Sequence, residues 1–136
     1  MDRVVQDMVY DQDAAEEFIA LRCGITRSDA ASFVNARYWY CIITDLTDPA
    51  NEDEEREAEM LLEKHHDLIP DEANTEDLDL LAEFVRRLTK LPIETIAGMI
   101  AEETAYLIQM KAMEPAAYND YREWANEVAE RAAAVN

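Results

Sequence analysis

The stretch IETIAGMIAEETAYLIQMK, residues 93–111, decides the fold. Ile93, Ile96, Ala97, Ile100, Leu107 and Ile108 recur at helical spacing, and Met99 and Tyr106 widen the stripe. A helix apolar over so much of its circumference is buried between other helices. Pro92 suits the first helical position, where a missing N–H costs nothing. Glu94, Glu102 and Glu103 are then expected on what remains of the outer face.

Sliding the chain by 66 residues lays a related stretch over this one without a gap. Asp11 falls on Asp77, Asp13 on Asp79, Glu17 on Glu83 and Phe18 on Phe84. Ala31 meets Ala97, Tyr40 meets Tyr106 and Ile42 meets Ile108. The steps Pro49-Ala50 and Arg56-Glu57 recur as Pro115-Ala116 and Arg122-Glu123. These 11 identities over 47 positions follow the core periodicity, which favours a repeat over shared composition. The expected architecture is all-α, with tandem three-helix repeats at residues 1–66 and 67–136. Together they are expected to form one compact, pseudo-symmetric six-helix bundle.

Composition agrees with an all-helical chain. Two Gly in 136 residues leave little room for hairpins or phosphate-cradling loops, and Ala, Glu, Leu and Met favour helix. The leading residues hold no apolar run of signal-peptide length, and no stretch approaches the ~20 apolar residues of a membrane span. Cys23 and Cys41 read as reduced, core-filling thiols, so a cytoplasmic location is expected. The net charge of −19 argues against direct binding to phosphate backbones and to anionic membranes. It fits solubility, attraction to a basic partner, or adaptation to high salt.

In chain order, helices are expected near 13–23, 27–46, 51–66, 75–89, 92–112 and 115–132. Val4, Val5, Met8 and Val9 form a lead-in, read as a short helix or docking tail. Asp13 with Glu16 reads as a capping box for the first helix. That helix should bury Phe18, Ile19 and either Leu21 or the stem of Arg22. Gly24 should end it in the left-handed region, and Thr26 should cap the second helix. The helix, Gly-Ile turn, Thr cap and second helix resemble a helix-turn-helix in outline. Arg27, Ser28, Asp29 and Ser32 do not make a basic reading head, so an ordinary helical corner is expected. Asn51 with Glu54 caps the third helix. Met60, Leu61 and Leu62 give that helix a thin apolar edge, and His65 and His66 close it as solvated end residues. Asn74 or Thr75 is expected to cap the fourth helix. The last helix places Tyr118, Tyr121, Trp124 and Val128 on one stripe.

Three functional readings follow. Residues 45–79 hold 15 Asp/Glu against two Lys/Arg, with Glu52, Asp53, Glu54 and Glu55 in one helical turn. The first reading is an acidic protein-binding module or inhibitor that engages a basic surface and mimics nucleic-acid charge. Small phage or mobile-element antagonists offer the analogy. Its partner-binding residues are Glu52, Asp53, Glu54 and Glu55, with Tyr38 and Trp39 as aromatic anchors. The second is a homo-oligomeric assembly protein associating through Tyr38, Trp39 and Trp124. The third is a metal-dependent, oxidase-like bundle using Glu59, Glu63 and His66, since Glu63-x-x-His66 is half of a di-metal motif. The second repeat places Ala129 and Ala132 at the matching positions, so the site lacks its other half. No cofactor motif or nucleophile–base pair is evident, and an enzyme is not expected.

Overall fold

The computed structural model describes residues 11–44, 46–70 and 77–135. Among them the chain is all-α, without strands. Its helices are α1 (Gln12–Cys23), α2 (Arg27–Ile43), α3 (Glu52–Lys64), α4 (Leu78–Thr89), α5 (Ile93–Gln109) and α6 (Ala117–Val135), with a 3₁₀ turn at His66–Leu68. No helix among the described residues is long and apolar enough to cross a membrane. The lead-in residues Val4, Val5, Met8 and Val9, and the expected caps Asn74 and Thr75, lie outside the described residues.

Local chemistry sets the helix ends. Asp11, not Asp13, caps α1 by accepting from the backbone N–H groups of Asp13 and Ala14. Asp77 caps α4 in the same manner through Leu80 N–H. Thr26 Oγ1 accepts from Asp29 N–H at 3.1 Å, and Asn51 Oδ1 accepts from Glu54 N–H at 2.9 Å. Helix α2 ends three residues early. Thr44 turns its hydroxyl back on the Tyr40 carbonyl at 2.7 Å, and Leu46 and Thr47 both donate to the Cys41 carbonyl. Helices α4 and α5 begin and end 66 residues after α1 and α2.

Gly24 closes α1 with φ 66°, and Lys90 closes α4 with φ 65°. A Cβ at Gly24 meets nothing within 4 Å, so only backbone strain opposes it. Gly24→Ala should therefore cost about 1 kcal/mol, and Lys90→Gly should gain about as much. Urea midpoints of the two variants check both signs.

The described residues divide into two compact units, residues 11–34 with 91–135, and those within 35–90. In the first unit α5 is the central element. Ile96, Ala97, Met99, Ile100, Ala101, Thr104 and Tyr106 are all buried, which accounts for the apolar circumference. Helix α1 packs on it, with the Phe18 ring 5.5 Å from that of Tyr106. Helix α6 lies along it through small residues: Ala97 and Ala101 face Ala125 and Val128, with Ile93, Tyr121 and Trp124 at the edges. Small side chains allow the two helices to approach closely, so dispersion contacts are dense. Trp124 is thus packed against its own chain. Leu21 is 77% exposed, whereas Arg22 lays its guanidinium 5.5 Å from the Phe18 ring.

The second unit is built round three rings. Phe84 is fully buried, 5.1 Å from the Tyr40 ring and 5.3 Å from the His65 ring. Tyr40 donates its hydroxyl to the Leu68 carbonyl at 2.8 Å, which pins the 3₁₀ turn. Leu81, Ala82 and Val85 complete the buried face of α4. Helix α3 has one buried residue, Ala58. Met60 (66%) and Leu62 (40%) are exposed, so the expected three-residue apolar edge reduces to the half-buried Leu61. Helical period gives the reason: Glu54, Ala58, Leu61 and His65 share one face, and Met60 and Leu62 fall outside it. His65 lies on that inner face, and the solvated helix end expected there is corrected to a buried imidazole, 4% exposed.

Candidate functional site

The acids and aromatics expected to bind a partner meet in the second unit. Glu52, Asp53 and Glu55 are exposed in the first turn of α3. The unpaired N–H groups of that turn favour anions there, so the acids also support the helix that displays them. Glu54 lies half-buried between them. Its Oε1 accepts from Ala50 N–H at 2.9 Å and from the Tyr38 hydroxyl at 2.8 Å. The Tyr38 ring meets Trp39 edge-on at 5.8 Å. One hydrogen bond therefore joins the acidic turn of α3 to the aromatic pair of α2. Asp53 pairs with Arg56 one turn on.

His65 lies in the core of the same unit. Burial, reinforced by the positive charge of Arg87, holds its pKa below the ordinary 6.5. Arg87 approaches His65 Nδ1 at 3.5 Å and grips the Asp67 carboxylate with two bonds of 3.1 and 2.8 Å. That grip keeps the Asp67 carboxyl below its usual range. Lys64 and Lys90 also oppose a charged imidazole, and Asp67 favours it. On acidification through 6.5 the unfolded chain binds a proton that the folded chain refuses. The His65 contribution is therefore intact above that value and falls as pH drops toward the lowered folded pKa, by at most ~1.4 kcal/mol per pH unit. His65→Gln should shrink the difference between urea midpoints at pH 7 and pH 5. An unchanged difference contradicts the assignment.

The metal candidates are not assembled. Glu59, Glu63 and His66 are exposed on α3 and the following turn, and His66 Nδ1 faces the Glu63 backbone carbonyl at 3.1 Å. Among the described residues no group of three His, Cys, Asp or Glu is placed to hold a metal ion. Neither Cys23 nor Cys41 is in a disulfide.

The first unit contains a polar cluster that the periodicity did not place. Glu102 and Glu103, expected on an outer face, are 7% and 2% exposed. For Glu102 the correction follows from α6, whose Tyr118 and Arg122 reach its carboxylate. A buried carboxylate is tolerated when paired and hydrogen-bonded. Glu102 Oε1 takes Arg22 Nε–H at 2.8 Å. Its Oε2 takes the Tyr118 hydroxyl at 2.8 Å and Arg122 Nη1–H at 3.3 Å. Tyr118, expected on the core stripe of the last helix, is instead half-buried with its hydroxyl on this carboxylate. One carboxylate on α5 thus ties the end of α1 to α6. Burial and the Glu102 bond raise the Tyr118 pKa, and Glu102 raises that of Arg22. Beside them lies a cleft of about 360 Å³.

No protein-family model matches the chain, and no curated protein or solved structure matches it.

Proposed function

We propose that the chain is an acidic protein-binding module, or inhibitor, that engages a basic surface on another protein by presenting nucleic-acid-like charge. The observation that supports this reading is the Tyr38–Glu54 hydrogen bond, which ties Tyr38, itself packed on Trp39, to the helical turn that carries Glu52, Asp53 and Glu55. A rim of carboxylates steers a basic partner at long range, and a partly desolvated aromatic pair gives it short-range affinity. The net charge of −19 extends the attraction beyond the patch. Reversing Glu52, Asp53 and Glu55 to Lys while keeping Glu54 removes the Asp53–Arg56 pair but leaves the Glu54 bonds to Ala50 and Tyr38 in place. That variant should lose at least tenfold in partner affinity at low salt. Undiminished affinity excludes this patch.

We also propose that the fold arose by internal duplication at the 66-residue offset. Four features support it beyond the sequence identities. Helices α1 and α2 share their spans with α4 and α5 under that offset. Asp11 and Asp77 cap equivalent helices, and Gly24 and Lys90 end them in the same left-handed conformation. Phe18 and Tyr40 belong to one repeat, and Phe84 and Tyr106 to the other. The ring pairs are Phe18–Tyr106 and Tyr40–Phe84, at 5.5 and 5.1 Å. The first unit thus joins the first helix of one repeat, with residues 27–34 of α2, to the second and third helices of the other, and the second unit joins α4 to α3 and residues 35–43 of α2.

A further inference from the structure

We propose that the cleft in the first unit binds a small organic carboxylate carrying a hydrogen-bond donor, of the hydroxy-acid or amino-acid class. Its walls are the end of α1, the first half of α5 and the first half of α6, represented by Arg22, Glu94, Thr95, Gly98, Tyr118 and Arg122.

Two independent features point to a ligand. The first is Gly98. It sits inside an apolar helix, where glycine weakens the structure relative to alanine. Packing does not require it, because a Cβ there meets nothing within 4 Å. The missing side chain instead keeps the floor of the cleft open. The second is the pair of guanidiniums. Glu102 takes one nitrogen from each, Nε of Arg22 and Nη1 of Arg122. A guanidinium carries five N–H donors, so capacity remains on both. The buried carboxylate pre-orients them, which lowers the ordering cost of binding an anion. A planar carboxylate matches the fork geometry of arginine.

Glu94, which also lines the cleft, narrows the ligand class. Its charge opposes dianions such as phosphate and accepts a hydrogen bond from a hydroxyl or ammonium group next to the ligand carboxylate. Thr95 adds a hydroxyl to the same wall. Cys23 lines the cleft as well, and burial raises its thiol pKa to about 11. It stays protonated at neutral pH and forms a neutral wall rather than a nucleophile. The cleft therefore binds without covalent chemistry.

The test is an NMR titration of the full chain, following the Nε–Hε signals of Arg22 and Arg122. The probes are L-lactate, L-alanine, acetate and inorganic phosphate. Lactate, alanine or both should shift the two arginine signals saturably, and the stronger of them decides between hydroxy and amino acid. Acetate and phosphate should bind at least tenfold more weakly. Gly98→Leu, which fills the cleft without removing a charge, should weaken binding at least tenfold. Gly98→Ala, adding one methyl to open space, gives a smaller loss in the same direction and serves if leucine disturbs the fold. The proposal is overturned by absence of a saturable shift with lactate and alanine, by acetate or phosphate binding equally well, or by unchanged binding in both glycine variants.

Discussion

Phe84→Ala should lower the stability of the protein by about 3–5 kcal/mol, the cost of emptying a fully buried aromatic site. Phe84 is 0% exposed, and its ring lies against both Tyr40 and His65. Removing it deletes apolar burial and leaves a cavity that the 3₁₀ turn cannot collapse into while Tyr40 holds the Leu68 carbonyl. For a domain of ordinary stability, ~5–15 kcal/mol, that is a large fraction of the whole. Urea unfolding measures it, and Leu62→Ala, at a position 40% exposed, should stay within ~0.5 kcal/mol. A loss under about 1 kcal/mol at Phe84 would contradict the ring cluster as the core of its unit. The same variant serves the duplication reading. Double-mutant cycles should give coupling of ~0.5–1.5 kcal/mol for Phe84 with Tyr40 and for Phe18 with Tyr106. The combinations Phe18 with Tyr40 and Phe84 with Tyr106 should show none. Coupling within repeats rather than between them would rule out the exchanged-helix arrangement.

Glu102→Gln has the second largest expected effect, a loss of about 2–3 kcal/mol. The substitution preserves shape and replaces a charge with a neutral amide. It weakens three charge-assisted hydrogen bonds, from Arg22, Tyr118 and Arg122, and sets amide N–H groups against donors. The value lies below the full cost of breaking a buried ion pair because Arg22 and Arg122 are 49% and 37% exposed at their side chains. Water can satisfy them once the carboxylate is gone. For the same reason Arg22→Gln or Arg122→Gln alone should cost less, about 1 kcal/mol. Equal losses at all three positions, or a Glu102→Gln loss under about 0.5 kcal/mol, would remove Glu102 as the tie between α1, α5 and α6.

The helices were legible because their signals are local. Gly24 ends α1 by its φ alone, Thr26 and Asn51 accept from N–H groups three residues on, and the apolar circumference of α5 declares a central helix. Competing local signals misled at two caps. Asp11 precedes α1 and Asp13 lies in its first turn, and side-chain geometry selects Asp11; at α4 the cap is Asp77, not Asn74 or Thr75. Glu102 and Glu103 were misplaced because the reading treated acids as outer-face residues. Two adjacent acids inside an otherwise apolar helix leave burial with partners as an alternative. The partners of Glu102, Arg22, Tyr118 and Arg122, lie 16 to 80 positions away in sequence, beyond any local pattern. His65 was recoverable, since Ala58, Leu61 and His65 follow helical period. Its position at a helix end suggested a solvated cation instead. The Tyr38–Glu54 bond depends on how α2 and α3 meet, which spacing alone does not fix.

The central claim is that the acidic surface, with its aromatic pair, captures a basic partner. The most direct measurement is affinity capture by the tagged full chain at about 100 mM and about 500 mM salt, across which the screening length falls from ~10 Å to under half that. The reading predicts a partner with a basic surface that is held at the lower salt and released at the higher. It also predicts that Lys at positions 52, 53 and 55 prevents capture. A partner held equally at both salts, or held equally by the reversed chain, contradicts it.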